Sequence, residues 1–91
     1  MNDIAHAAVL NRENPTYLAE MASLQLKVNL YEDAIKTADL CIAIAPSYAD
    51  AYLIKGLAQV RNKHKKEGLE SLNKAKELGD ARAKDFIDKY K

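Results

Sequence analysis

The residues that could support acid–base, nucleophilic or metal chemistry are few and scattered along this 91-residue chain. His6 and His64 are the two histidines, and they lie on different predicted elements without forming a metal-ligand set. Cys41 is the single cysteine, so no internal disulfide can form, and its position predicts a buried, inert thiol. The serines lack a nucleophile motif, and the three glycines are too far apart for a phosphate-binding loop. We therefore expect no enzyme and no metal or cofactor.

An internal repeat of 34 residues relates Pro15–Tyr48 to Ala49–Arg82. Residue class recurs more than identity, because packing constrains volume and polarity while leaving the exact side chain free. Gln25 and Gln59 are identical. The other matched positions pair small with small and aliphatic with aliphatic residues: Ala22 with Gly56, Ala34 with Gly68, Cys41 with Ala75, Leu26 with Val60, Ile35 with Leu69, and Ile44 with Leu78. Such a period predicts stacked helical hairpins, which usually bind other proteins.

Local signals predict six helices joined by short connections. Polar residues suited to cap or start five of them are Asp3, Asn14, Asn29, Ser47 and Asp80. The predicted helices cover about 3–11, 15–28, 30–45, 48–61, 65–78 and 81–90. Pro46 and Gly79 mark two of the ends. The last helix carries one apolar stripe, formed by Ala83, Phe86, Ile87 and Tyr90, and is predicted to cap the stack.

The pattern resembles the tetratricopeptide repeat, whose motif is W-x2-L-G-x2-Y, then A-x3-F, then P. The first unit fills these positions with Leu18, Met21, Ala22, Gln25, Ala34, Ala38 and Pro46. The second fills them with Tyr52, Lys55, Gly56, Gln59, Gly68, Leu72 and Asp80. The resemblance implies an all-α fold of antiparallel helix-turn-helix repeats stacked in a right-handed superhelix. It implies one domain over 1–91: part of a preceding repeat at 1–12, repeats at 15–48 and 49–82, and a capping helix at 80–91.

The same resemblance implies a concave, partner-binding groove lined by the first helix of each unit. In the first unit the implied lining is Thr16, Ala19, Glu20, Ser23, Leu26 and Lys27. In the second unit it is Asp50, Leu53, Ile54, Leu57, Val60 and Arg61, and Lys84 follows on the last helix. Chaperone-binding members of the family clamp a C-terminal carboxylate. Here Ala19, Ser23 and Ile54 replace clamp residues and Asp88 replaces a basic one, so we expect no such clamp.

The apolar side of the second unit's first helix leaves more than one interpretation open. Leu53, Ile54 and Leu57 follow helical spacing on a face distinct from that of Tyr52 and Gly56. They could form a groove for a peptide or protein segment, with Lys27 and Arg61 offering an anion contact. Alternatively, the groove is buried by self-association, such as a homodimer, or by the rest of a longer protein. Burial beneath the last helix is the third interpretation.

Charge is unevenly distributed, although the net charge is only +1. Residues 1–50 contain three Lys or Arg and seven Asp or Glu, a net charge of −4, whereas residues 51–91 contain eleven and six, a net charge of +5. The basic cluster at 61–66 is expected to be a solvated turn, or else a contact for an acidic partner or nucleic acid. Nucleic acid is disfavoured because no aromatic residues are interleaved and because Glu67 and Glu70 follow. We expect a protein or peptide partner and no nucleic acid. No apolar run approaches the roughly 20 residues of a membrane span, and Met1–His6 does not resemble a secretory signal. We expect a cytoplasmic protein.

Overall fold

The computed structural model describes residues 14–91, and within them the fold is all-α with five helices and no strand. The helices are α1 (Pro15–Lys27), α2 (Tyr31–Ile44), α3 (Ala49–Arg61), α4 (Lys65–Glu77) and α5 (Ala81–Tyr90). The predicted helix at 3–11, and with it the partial preceding repeat at 1–12, lies outside the described residues. The five described helices agree with the predicted ones to within one or two residues at each end.

Each helix packs on the next one along the chain, so α1 with α2 and α3 with α4 form helical hairpins. The odd-numbered helices also contact one another, α1 with α3 and α3 with α5. The core lies between the hairpins and is built largely from small side chains. Fully buried members include Ala22, Ala34, Ala38, Cys41, Ala51, Ala58, Leu72, Ala75 and Ala83. Small residues let the helix backbones approach closely, and the helical-hairpin stack follows from their spacing.

Gly56 and Gly68 lie where α3 and α4 cross, as the small-residue pairing predicts. A Cβ on Gly56 would lie 2.7 Å from the Leu72 Cγ atom and 2.8 Å from the Gly68 carbonyl oxygen. A Cβ on Gly68 would lie 2.7 Å from the Gly56 carbonyl oxygen. At the equivalent crossing of α1 and α2, Ala22 and Ala34 are fully buried. The helices of the two hairpins therefore cross at equivalent positions, with glycines in the second hairpin and alanines in the first.

A partly buried hydrogen bond recurs in both hairpins with the 34-residue shift. The Thr37 hydroxyl donates to the Gln25 side-chain oxygen at 2.7 Å, and the Ser71 hydroxyl donates to the Gln59 side-chain oxygen at 2.8 Å. Each bond joins the first helix of a hairpin to the second. Gln25 and Gln59 occupy the motif position that the tetratricopeptide pattern gives to Tyr. Their identity in the two units is explained by this shared bond, because a buried amide oxygen without a donor is costly.

Three helices end in the same backbone motif. After α1, Asn29 adopts φ +67°, the Leu30 amide donates to the Gln25 carbonyl, and the Asn29 amide donates to the Leu26 carbonyl. The same two bonds close α3 around Lys63, with φ +69°, and α4 around Gly79, with φ +103°. This is the Schellman arrangement, in which a residue in the left-handed region lets the chain satisfy the last carbonyls of a helix.

Two predicted helix starts are confirmed and two are wrong. The Asn14 side chain accepts hydrogen bonds from the Thr16 and Tyr17 amides, and the Asp80 side chain accepts one from the Arg82 amide. Asn29 does not cap α2, because it is already committed to the left-handed position that ends α1, and Leu30 takes the cap position without a side-chain bond. Ser47 does not cap α3 either, since the helix begins one residue later, after Tyr48.

Candidate functional site

One face of the molecule carries a depression, which we call the inner groove, formed where the three odd-numbered helices lie side by side. Its volume is about 350 Å³, at the lower end of the range for small-ligand sites. The lining residues are Thr16, Ala19, Glu20, Ser23 and Leu26 of α1, Tyr48 before α3, Asp50, Leu53, Ile54 and Leu57 of α3, and Arg82 and Phe86 of α5. Helical periodicity explains this set, because the α1 and α3 members recur at spacings of three and four residues.

The floor of the inner groove is apolar and already well buried. Leu53, Ile54 and Leu57 expose 4%, 7% and 7% of their surfaces. Phe86 on α5 is half-buried and lines the same depression. These side chains therefore belong to the core and also form the bottom of the groove, which combines two of the interpretations left open by the sequence. Polar atoms reach the groove from its edges, where Thr16 and Glu20 are exposed and Ser23 is half-buried.

An ionic network lies at the mouth of the groove, where α5 begins next to α3. The Arg82 guanidinium donates to both oxygens of Asp80, at 3.0 and 2.8 Å, and also to Asp50. The hydrogen bond from Arg82 is the main reason that the pKa of Asp80 lies below its ordinary value of 3.8. The same bonds, first to Asp80 and then to Asp50, raise the pKa of Arg82. The network joins α5 to α3, and it neutralises Arg82, the one cation that residues 14–91 contribute to the lining.

The first unit places a neutral pair at the equivalent position. Tyr48 and Thr16 are the counterparts of Arg82 and Asp50 under the 34-residue shift, and the Tyr48 hydroxyl lies 3.5 Å from the Thr16 oxygen. That distance is at the limit of hydrogen bonding. The two pairs show that the repeat extends beyond helix packing to the contacts along the groove edge.

Nine of the thirteen residues implied above as lining do line the inner groove: Thr16, Ala19, Glu20, Ser23, Leu26, Asp50, Leu53, Ile54 and Leu57. The other four, Lys27, Val60, Arg61 and Lys84, do not. Lys27 and Arg61 are exposed at the C-terminal ends of α1 and α3, and Lys84 is exposed on α5 outside the lining.

Sequence reasoning assigned Tyr48, Arg82 and Phe86 no place in the groove, although all three line it. A signal for two of them was present, since Tyr48 and Arg82 occupy equivalent repeat positions immediately before or within the start of a groove-lining helix. Phe86 was assigned to the apolar stripe of α5. The stripe prediction did not reveal that one of its members also reaches the groove.

The Cys41 thiol is fully buried on α2, as its small inward position predicts. It donates to the Pro15 carbonyl oxygen at 3.3 Å. Burial, and secondarily the negative charge of Asp50, raise the pKa of Cys41 above its ordinary value of 9.0. A thiol that is protonated and enclosed in this way is a poor nucleophile.

The basic turn between α3 and α4 is a solvated surface. Its four cations are all exposed: Arg61, Lys63, Lys65 and Lys66. The Nδ1 atom of His64 lies 3.5 Å from the Oε1 atom of Glu67, which is on the first turn of α4. Among residues 14–91 there is no cluster of three His, Cys, Asp or Glu side chains that could hold a metal ion. None of the helices in that range is long and apolar enough to cross a membrane.

The comparison with known proteins adds no family assignment. No model of a protein family matches the chain, and no curated protein is similar enough in sequence to be identified as a relative.

Proposed function

We propose that this chain is a non-enzymatic protein–protein interaction module that holds a segment of a partner protein in the inner groove. The observation that carries the proposal is the convergence of α1, α3 and α5 on one depression with an apolar floor and a polar rim. Membership of the tetratricopeptide repeat family, and the stacking of hairpins in a right-handed superhelix, belong to the same proposal. They rest on the 34-residue motif and on the contacts that recur with it.

The groove has the anatomy of a small recognition pocket. Protein interfaces derive most of their affinity from a few anchor side chains that enter well-packed pockets, surrounded by polar contacts that exclude water. Here Leu57 and Phe86 offer apolar contact, while Thr16 and Ser23 offer hydroxyl groups at the edge. A volume of about 350 Å³ suits one or two anchor side chains of a peptide better than a whole helix.

The charges of the groove favour a basic partner segment. Glu20 is exposed in the lining, and Arg82 is engaged by two carboxylates, Asp50 and Asp80. Lys27 and Arg61, which the sequence suggested as an anion contact, lie outside the lining. We therefore propose a partner segment that combines an apolar anchor with a neighbouring Lys or Arg, because the anchor fills the floor and the cation lies beside Glu20.

The proposal is tested by selecting peptides from a random display library on the full chain and measuring their affinity by calorimetry. Ser23→Tyr places an aromatic ring in the groove and should weaken binding by about tenfold or more. Asn73→Tyr, on the exposed outer side of α4, is the matched control and should leave affinity unchanged. Selected peptides that bind both variants as well as the unmodified chain would show that the groove is not the binding surface.

The selected sequences themselves provide a second criterion. An enrichment of apolar residues next to Lys or Arg supports the assignment of Glu20 as the charge that partners recognise. Glu20→Gln should then lower the affinity of basic peptides, and this loss should shrink with added salt because the pair is exposed to solvent. Enrichment of acidic peptides would contradict the electrostatic part of the proposal.

A further inference from the structure

The large apolar side chains that the described part of the chain leaves exposed all belong to the first hairpin and its turn. They are Tyr17, Leu24, Val28, Leu30, Leu40 and Ile44. Residues 45–91 contribute none. The exposed apolar surface is thus concentrated in the first hairpin. Tyr17, Leu24 and Val28 belong to α1 and its C-cap, on the side opposite the lining residues Ala19 and Leu26, whereas Leu30, Leu40 and Ile44 belong to the turn and to α2. Concentrations of this kind mark interaction surfaces more often than scattered single residues do.

The second unit indicates what kind of contact this side of α1 is suited to make. Ala51 and Ala58 of α3, which correspond to Tyr17 and Leu24 under the 34-residue shift, are both 0% exposed, whereas Leu24 is 62% exposed. These two alanines lie in the stack, where α2 packs against α3, while Lys55 and Asn62, the counterparts of Met21 and Val28, are half-buried. The outer face of α1 is therefore a helix-packing surface with larger apolar side chains, left exposed within residues 14–91.

Four residues of α1 and its C-cap form what we call the outer stripe: Tyr17, Met21, Leu24 and Val28. They recur at intervals of four, three and four residues, which is the heptad spacing of two helices that pack lengthwise. We propose that the outer stripe pairs with the outer stripe of a second copy of this chain, with the two α1 helices antiparallel. The outer stripe itself lies outside the inner groove, and Glu20 at its edge is the residue that the two surfaces share.

Charge complementarity supports a second copy and fixes the orientation. Glu20 and Lys27 are exposed, seven residues apart, and each directly precedes a stripe residue, so they lie along the same edge of the stripe. An antiparallel pair that sets Tyr17 against Val28 of the other copy brings Glu20 of each copy close to Lys27 of the other. The two-fold symmetry makes this contact twice. Such edge charges determine partner and orientation in paired helices.

A parallel pair lacks this match. The opposite edge of the stripe carries Leu18 and Gln25, and Leu18 is 2% exposed while Gln25 is bonded to Thr37. In a parallel pair these residues would face Glu20 and Lys27 of the other copy, and they offer no charge. The exposed apolar area is on the order of several hundred Å², which is small for a permanent dimer. We therefore expect a reversible dimer with a dissociation constant in the micromolar range.

Sedimentation of the full chain over about 10 μM to 1 mM at low salt measures the association. The unmodified chain should shift from monomer to dimer with concentration. Leu24→Glu should weaken association by about tenfold or more, because it places a charge in the desolvated stripe. Asn73→Glu adds the same charge to the exposed side of α4 and should have no effect. A full chain that stays monomeric throughout overturns the proposal.

Charge exchange tests the antiparallel arrangement. Glu20→Lys alone and Lys27→Glu alone should each dimerise more weakly than the unmodified chain, since like charges then face each other twice. A mixture of these two variants should form a heterodimer, because every edge contact in it is between opposite charges. Equal association of the two variants alone and mixed would refute the pairing.

Isotope-filtered nuclear Overhauser spectra of the methyl groups of Leu24 and Val28 identify what covers the stripe. Contacts between labelled and unlabelled copies support the dimer. Contacts to residues 1–13 of the same copy, in a monomer, would assign the face to that segment and overturn the proposal. Methyl groups that contact only solvent in the full chain would overturn it too.

Discussion

The two hairpins of this protein have the same arrangement of helices and differ in the size of the side chains where their helices cross. Both place a glutamine–hydroxyl bond between their helices, and both end their first helix in a left-handed residue, Asn29 or Lys63. They differ at the crossing, where the first hairpin has alanines and the second has Gly56 and Gly68. Polar contacts and turns thus set the register of each repeat, while small residues set the distance between its helices.

The hairpins also differ in their surroundings. The second is enclosed by α2 on one side and α5 on the other, so its groove-facing residues are buried. The first has an exposed outer face, and its groove position equivalent to Leu57 is the half-buried Ser23. The same position in the repeat is therefore part of the core in one unit and part of a solvated edge in the other.

The largest expected effect tests this difference at the groove floor. Leu57→Glu should destabilise the fold by several kcal/mol, because a carboxylate would replace an apolar side chain that is 7% exposed, without a charged partner. Ser23→Glu, at the equivalent position of the first unit, should change the stability by at most about 1 kcal/mol. Urea denaturation of both variants measures the contrast. Equal stabilities would show that the second unit's groove face is as open as the first.

The next effect concerns the helix crossings. Gly68→Leu should cost about 3 kcal/mol or more, since the new side chain would meet the Gly56 carbonyl oxygen and other backbone atoms that cannot rotate away. Ala34→Leu should cost about 1–3 kcal/mol, because that crossing already accommodates a methyl group. Thermal melts decide the order. A larger loss for Ala34→Leu would reverse the assignment of the tighter hairpin.

A smaller effect is expected at the two turns. Lys63→Gly should stabilise the protein by about 0.5–1 kcal/mol, because a residue with a Cβ is disfavoured at φ +69°. Asn29→Gly should raise the free energy of unfolding by less, since Asn tolerates the left-handed region better than Lys does. The free energies of unfolding in urea provide the measurement. If Lys63→Gly instead lowers the free energy of unfolding, the Lys63 side chain stabilises the fold by more than its backbone strain destabilises it.

The smallest effect is a stabilisation that is lost in acid, and it distinguishes the groove edges of the two units. The folded-state pKa of Asp80 lies below 3.8, so its contribution is fully present above that pH and is lost as the pH falls through the folded-state pKa. The melting temperature of Asp80→Asn should therefore be lower than that of the unmodified chain near neutral pH, and the difference should be smaller near pH 2. The Tyr48–Thr16 pair of the first unit carries no charge. The difference in melting temperature between Tyr48→Phe and the unmodified chain should therefore not change with pH.

Much of the fold could be predicted from the sequence, because helix spacing and small-residue pairs depend on local periodicity. The repeat period, the five described helices and the position of Gly56 followed from that periodicity. The Asn29 cap prediction failed because the same residue type also suits the left-handed end of a helix, and only the 6→1 backbone bond decides between the two roles. Propensity alone cannot distinguish them.

The groove was predicted less completely than the fold. Ala19, Ser23 and Leu53 line it as the resemblance to the tetratricopeptide repeat implied. Arg82 and Phe86 were not predicted, since their place in the groove depends on how α5 packs across α3. The resemblance also implied Lys27, which is exposed at the end of α1 and lies beyond the lining.

The hydrogen bonds from the glutamines also have a consequence for the folding kinetics. Each joins residues only 12 positions apart, and the main helix contacts of residues 14–91 join either consecutive helices or the next odd-numbered one. Chains with such local contacts fold quickly, since little loop-closure entropy opposes the transition state. We expect the hairpin with the glycine crossing to form the folding nucleus, and folding to propagate from it toward α1. Mutations in α3 and α4 should slow folding, whereas those in α1 should mainly speed unfolding.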